Sequence, residues 1–421
     1  MQSSIKLRLT VMNFLQFAVW GAYLTSMGRY LSTAGFGSEI GNFYAMQGLV
    51  SLFMPALMGI VADRWIPAQR LLGVCHMLAG MLMLGVFLYT QTDTPSYPSL
   101  FALYSLSVAF YMPTLALSNS VAYTSLDQAG LDLVKSFPPI RVFGTVGFIC
   151  TMIAVSLLGL EATSGQFAVS AIISLVLAVY AQTLPNCPTA PKGQSKSLVE
   201  ALGLRAFVLF KQRKMALFFI FSMLLGVSLQ ITNGFANPFI STFGEIPAYA
   251  DTFGVKYANI LISLSQLSET LCILLIPFAL RRFGIRRVML IAMVAWVLRF
   301  ALLGLGNPGS GVWLFLLSMI VYGVAFDFFN VSGSLFVDKE TDPSIRSSAQ
   351  GLFMIMTNGI GATLGSLGAQ AVINHFVYSE HDTTAILAGW SMSWYIFATY
   401  AAVVAVLFAL LFRYNTATEA K

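Results

Sequence analysis

Twelve runs of about 20 apolar residues dominate this chain, and few folds can bury so much hydrocarbon-like sequence. Twenty helical residues rise ~30 Å, the thickness of a bilayer's hydrocarbon core. The runs fall at about 8–30, 39–61, 68–91, 99–124, 138–160, 166–184, 215–240, 257–280, 287–306, 312–336, 347–374 and 385–412. The eleventh is open to a split or shift at its glycines. The runs are continuously apolar rather than alternating, which excludes a β-barrel. In lipid each segment must satisfy its own backbone hydrogen bonds, so each run is expected to be a helix. The charge content agrees: 10% of the 421 residues are charged and 57% are hydrophobic, where a soluble protein carries about 25% charge. The expectation is an all-α membrane protein with twelve transmembrane helices.

A formal net charge of +6 raises the question of nucleic acid. The distribution answers it. With the N-terminus inside, all but four of the 23 Lys and Arg fall at the inner face. Lys256 lies in an outer loop, and Arg29, Arg141 and Arg299 fall within spans. This is the positive-inside asymmetry, and it predicts a multi-pass protein with both termini in the cytoplasm. The four cysteines, Cys75, Cys150, Cys187 and Cys272, have no metal-ligand spacing. Only three histidines occur, His76, His375 and His381. Neither a metal centre nor a Ser-His-Asp triad is expected. The first apolar run is too long for a cleaved signal and lacks a small-residue cleavage site.

The longest polar interruption, Pro185 to Lys214, is first rich in Pro, Lys and Ser. From Leu198 to Lys211 it then reads as a basic amphipathic segment suited to a membrane surface. It divides the chain into 1–184, a linker at 185–214, and 215–421, six spans on either side. Parallel halves of this kind are one signature of transporters. Weak internal symmetry supports it: Pro55 in span 2 and Pro277 in span 8 each stand about two turns before a basic inner loop.

Three spans carry charge where hydrocarbon should exclude it: Arg141 in span 5, Glu269 in span 8 and Asp327 in span 10. Each costs roughly 2.5–3.5 kcal/mol to insert, so each marks a functional site by default. Arg29, at the outer end of span 1, and Arg299, in span 9, are expected to snorkel outward instead.

Gly59-x-x-x-Asp63-Arg64 followed by Arg70 resembles the span 2–3 loop motif of the major facilitator superfamily. There the acid and the arginines latch a cytoplasmic gate. Trp65-Ile-Pro67 departs from the usual form, in which a Gly-Arg pair is common. Longer strings are similar to the nucleoside:proton symporter family of bacterial inner membranes. They include Phe137-Pro-Pro-Ile-Arg-Val-Phe-Gly-Thr-Val-Gly-Phe-Ile149, Leu229-Gln-Ile-Thr-Asn233, Ser265-Gln-Leu-Ser-Glu-Thr270 and Met319-Ile-Val-Tyr-Gly-Val-Ala-Phe-Asp-Phe-Phe-Asn330. The likeness covers nearly the whole chain, least in 185–197. It implies the major facilitator fold, a gate at Asp63, Arg64 and Arg70, and a nucleoside pocket between the halves. The matching positions are Arg141, Thr145, Phe148, Gln230, Asn233, Gln266, Glu269, Tyr322, Phe326 and Asp327. Gly28-Arg29-Tyr30 departs from the family, where a small residue is expected in the middle.

The residues support this reading on their own terms. Arg141, Thr145 and Phe148 are spaced i, i+4, i+7. Gln230 with Asn233 and Gln266 with Glu269 are i, i+3 pairs, and Tyr322 with Phe326 is i, i+4. Each set lies on one helix face. A nucleoside base offers amide-like edges to Gln and Asn and a π-face to Phe and Tyr. Its ribose hydroxyls want carboxylate or amide acceptors, and without phosphate it needs few cations. The alternatives stay open: Gln230 and Gln266 as interhelical hydrogen-bond partners, the aromatics as core, Arg141 as an inner-surface anchor. Trp20, Trp296 and Trp394 are read as packing or interface residues. The span 11 glycines, Gly351, Gly359, Gly361, Gly365 and Gly368, are read as allowing close helix approach.

Arg141, Glu269 and Asp327 sum to −1 when ionised, and one proton makes the set neutral. Asp327 is expected to carry that proton, with Glu269 nearer the substrate. The expected function is proton-coupled nucleoside import by a monomer in a bacterial inner membrane, with no cofactor, metal or nucleic acid. The rivals are a symporter of another uncharged polar solute, such as a sugar or modified nucleoside, and, from a different class, a membrane receptor or enzyme.

Overall fold

A computed structural model describes residues 2–189, 204–343 and 345–414, and no strand occurs among them. In chain order the longer helices are α1 (Gln2–Gly21), α2 (Met27–Thr33), α3 (Ile40–Ser51), α4 (Met54–Arg64), α5 (Ala68–Tyr89), α6 (Tyr97–Gln128), α7 (Leu133–Leu157) and α8 (Gly165–Ala181). They continue as α9 (Arg213–Leu229), α10 (Ile231–Thr242), α11 (Ala258–Leu305), α12 (Val312–Glu340), α13 (Arg346–Met354), a π-helical stretch over Ile355–Gly361, α14 (Ala362–Ile373) and α15 (Thr383–Leu411).

All twelve expected spans are helical, but several are broken within themselves. Nine continuous helical stretches among the described residues are long and apolar enough to cross a membrane. One of these, α11, has 48 residues, or ~72 Å of helix, and crosses twice. Its two spans meet at Gly284, whose φ of 74° and ψ of 164° leave the helix in a region that side chains rarely enter. The shorter α8 and the pair α1–α2 complete the twelve. Span 7 breaks at Gln230, between α9 and α10, and span 2 breaks between α3 and α4. Pro55 opens α4, whereas Pro277 sits inside a continuing helix. The prolines that suggested an internal repeat therefore do different local work.

Of the amphipathic segment expected from Leu198, residues 198–203 lie outside the described residues. Leu204–Lys211 is a 3-10 helix that buries Ala206 and Leu209, so its apolar side packs on protein.

The chain forms two compact units, residues 1–30 with 49–202 and residues 31–48 with 203–421. The short stretch 31–48, placed by sequence with the first half, thus packs in the second unit. There Gln370 donates to the Gly37 carbonyl at 3.0 Å and accepts from the Gly41 N–H at 2.5 Å. Asn374 donates to the Ser38 carbonyl at 3.2 Å.

In the first unit, Leu9 and Met12 of α1 pack with Leu71, Leu72 and Cys75 of α5 and Leu117 and Val121 of α6. Above this core lies a fully buried polar chain. Gln16 donates to Thr114 Oγ1 at 2.7 Å and meets His76 Nε2 through its oxygen at 2.8 Å. The amide nitrogen being spent on Thr114, the oxygen accepts, and His76 carries its proton on Nε2. In the second unit, Gly361 and Gly365 allow the close helix approach expected of the span 11 glycines. A Cβ on Gly365 would stand 2.0 Å from the Val227 carbonyl, and one on Gly361 2.5 Å from that of Met223, so α9 crosses here at backbone contact. Gly351 and Gly368 face open space instead. The outward faces carry Leu158, Val179, Leu274 and Leu410, each more than 60% exposed, as a lipid-facing surface requires.

Candidate functional site

In the second unit α11 and α12 run side by side at closer than ordinary helix spacing. A Cβ on Gly323 would lie 2.5 Å from the Ser268 carbonyl oxygen, so only glycine admits this approach. Ser268 Oγ also donates to the Ile320 carbonyl. This seam brings the helix of Gln266 and Glu269 against the helix of Tyr322, Phe326 and Asp327. Gln266, Tyr322 and Asp327 are buried and Glu269 and Phe326 half-buried. The rings of Tyr322 and Phe326 stack, with centroids 5.7 Å apart and planes 13° apart. Trp296 stands edge-on to Tyr322 at 5.9 Å. Asp327 Oδ2 is buried with no hydrogen-bond partner among the described residues. An unpaired buried carboxylate oxygen is costly. Glu269 and Asp327 both lie within electrostatic reach of Tyr322 and of each other.

Gln230 sits at the bend between α9 and α10, where Asn233 Nδ2 donates to its Oε1 at 2.7 Å. The pair fixes its own orientation and leaves one amide donor and one carbonyl acceptor for a further group. The bend has a local cause. Gln230 is followed by Ile231-Thr-Asn-Gly234, a run of modest helix formers ending in glycine.

In the first unit α7 crosses α1 closely: a Cβ on Gly147 would stand 2.1 Å from the Phe14 carbonyl. Arg141 lies over the Phe17 ring at 4.0 Å. Phe148 is buried and stands edge-on to Trp20 at 6.4 Å. The Trp20 indole N–H is buried without a hydrogen-bond partner among the described residues. Thr145 is half-buried on the same face of α7.

The structure corrects two side chains read as snorkelling. Arg29 pairs with Glu161 at 3.3 Å, and that carboxylate is 4% exposed. Arg299 is 2% exposed and turns inward, its guanidinium 4.4 Å from the Tyr322 ring centroid. Trp20 and Trp296, read as packing, do pack, but against the expected site residues Phe148 and Tyr322.

A small cavity in the second unit is lined by Leu225, Trp296, Phe326, Phe329, Asn330 and Thr357, among others. Of the expected site residues only Phe326 lines it. Asp63 and Arg64 end α4 and Arg70 stands in the first turn of α5, flanking one short loop as the motif requires. Asp63 forms no ion pair among the described residues. A half-exposed carboxylate keeps much of its hydration, and pairing there gains little.

Comparison with known proteins decides the family. The family model described as Nucleoside H+ symporter matches residues 3–417. The chain belongs to the nucleoside H+ symporter family. It is a multi-pass membrane transporter of the major facilitator type, with twelve spans, and not an enzyme. The xanthosine permease of Escherichia coli (strain K12) is 50% identical over 415 residues, 98% of this chain and 97% of the permease. Nucleoside permease NupG of the same organism is 46% identical over the same shares. The crystal structure of nucleoside transporter NupG superposes with a TM-score of 0.89 at 45% identity, covering 98% of this chain and all of that one.

Proposed function

We propose that this transporter imports nucleosides with protons across a bacterial inner membrane, with both termini in the cytoplasm. The observation that carries the reading is the second unit's seam, where a stacked pair of rings adjoins a buried carboxylate oxygen without a partner. Rings give a base its stacking surface, and an ionisable group inside a membrane protein marks a functional site by default, proton relays among them. The names of the relatives agree with a nucleoside cargo.

The roles follow from the chemistry of each group. Tyr322, Phe326 and Phe148 stack on the base. Gln230, Asn233 and Gln266 offer it paired donors and acceptors, with Thr145 and Arg141 as further donors. Glu269 accepts from ribose hydroxyls, and Asp327 carries the proton. Asp63, Arg64 and Arg70 serve the gate. The transporter works as a monomer and needs no metal.

The test is uptake of tritiated uridine, adenosine and xanthosine by cells lacking their own permeases, with and without an uncoupler. Expected is accumulation of at least one nucleoside, abolished by the uncoupler and competed by unlabelled nucleoside but not by ribose. Normal membrane insertion with no nucleoside uptake rejects the reading. Competition by ribose alone hands the site to a sugar.

A further inference from the structure

Arg299 is a fully buried cation inside a membrane span, and no carboxylate pairs with it among the described residues. A charge in that place is expensive and is retained for a reason. Its contacts show which groups it serves. One guanidinium nitrogen donates to the Ser318 carbonyl at 2.8 Å and reaches Ser265 Oγ at 3.4 Å. Ser318 Oγ returns a bond to the Arg299 carbonyl at 2.9 Å. Ser265 belongs to span 8, Arg299 to span 9 and Ser318 to span 10, so one side chain ties three spans together. Its Nε has no hydrogen-bond partner among the described residues. What the guanidinium covers instead is the face of Tyr322. Along α12, Tyr322 stacks on Phe326.

We propose that Arg299 is a positioning residue for substrate: it fixes the height and plane of the Tyr322–Phe326 stack on which the base lies. A guanidinium is suited to this task because it is flat. It can stack on a ring while its edge donates to fixed acceptors, which an ammonium cannot do at once. Trp296 stands perpendicular to Tyr322 at 5.9 Å, so a second neighbour also holds the ring. The inference rests on the assignment of Tyr322 and Phe326 to the base.

A double-mutant cycle on the full-length transporter in nanodiscs tests it, with tritiated uridine as probe and binding and thermal midpoint as readouts. Arg299→Gln is expected to weaken uridine binding about tenfold, or 1.4 kcal/mol. In a Tyr322→Leu background the same change is expected to cost less than threefold, since the ring it positions is gone. Arg299→Lys is expected not to rescue, because it restores charge without the planar fork. If Arg299→Gln does not reach the membrane, the cycle is run with Arg299→Lys. Equal losses in both backgrounds overturn the inference, as does full binding by Arg299→Lys or a lowered thermal midpoint with unchanged affinity. If Tyr322→Leu binds uridine as the wild type does, the base-stacking assignment itself falls, and the inference with it.

Discussion

At the scale of single residues, the proposed site is a set of polar groups, one of which leaves an atom without a partner among the described residues. Asp327 Oδ2 lacks a hydrogen bond among the described residues, and the Gln230–Asn233 pair spends one donor and one acceptor on each other. Gln266 is 8% exposed on the helix face of Glu269. Its replacement by Ala leaves a buried substrate group without its partner, which costs ~1–3 kcal/mol. Gln266→Ala should therefore weaken uridine binding roughly 5- to 150-fold while the thermal midpoint moves little. Binding within twofold of wild type would return Gln266 to interhelical hydrogen bonding. These residues were visible in the sequence because polar groups are rare in lipid-length helices and their i, i+3 and i, i+4 spacings declare a face. Arg299 was visible too, but its direction was not. Whether a long cation snorkels or turns inward depends on what its neighbours offer, here the Tyr322 ring and the Ser318 carbonyl, and those lie on another span.

At the scale of helices, hydropathy located every span, while the breaks within them came from local chemistry and tertiary contact. Gly284 and the run after Gln230 carry a sequence signal for a break. The pairing of 31–48 with the second unit carries none, because it rests on Gln370 and Asn374, more than 300 residues away. The same holds for Gly323, one of 34 glycines in the chain. Its importance appears only when the Ser268 carbonyl is found 2.5 Å from where a Cβ would stand. Gly323→Leu must push α11 and α12 apart, and overpacking of this kind costs ~1–3 kcal/mol. It also displaces Gln266 and Glu269 relative to Tyr322 and Asp327. The expected result is a lowered thermal midpoint together with loss of uridine binding. Gly368→Leu, at a position with open space around it, is the control and should leave both nearly unchanged. Normal binding by Gly323→Leu would mean that the seam does not set the site.

At the scale of the whole molecule, the sequence's strongest statement was electrical. The basic residues sort to one face, and three charged groups stand in spans where none is expected. The inward turn of Arg299 adds a fourth. Within the second unit, and so without Arg141 of the first, Arg299, Glu269 and Asp327 sum to −1 when ionised, and a single proton makes them neutral. A neutral set crosses a low-dielectric barrier more cheaply than a charged one, so proton and nucleoside are expected to move together. At ~150 mV one proton supplies about 3.5 kcal/mol, enough for roughly 300-fold accumulation of an uncharged solute. Asp327, with an oxygen unpaired among the described residues, is the carrier we propose. Glu269, one turn from Gln266, is the better placed ligand for ribose. Because the two carboxyls act on one another, they titrate as a pair, and only separate substitution assigns the roles. Asp327→Asn keeps the shape and removes the titrating group. It should bind uridine and exchange it across the membrane, yet bring the inside-to-outside ratio to about 1, with or without an uncoupler. Glu269→Gln should lose binding first, with accumulation falling in proportion. Undiminished, uncoupler-sensitive accumulation by Asp327→Asn would move the proton to Glu269 and leave Asp327 as a substrate ligand.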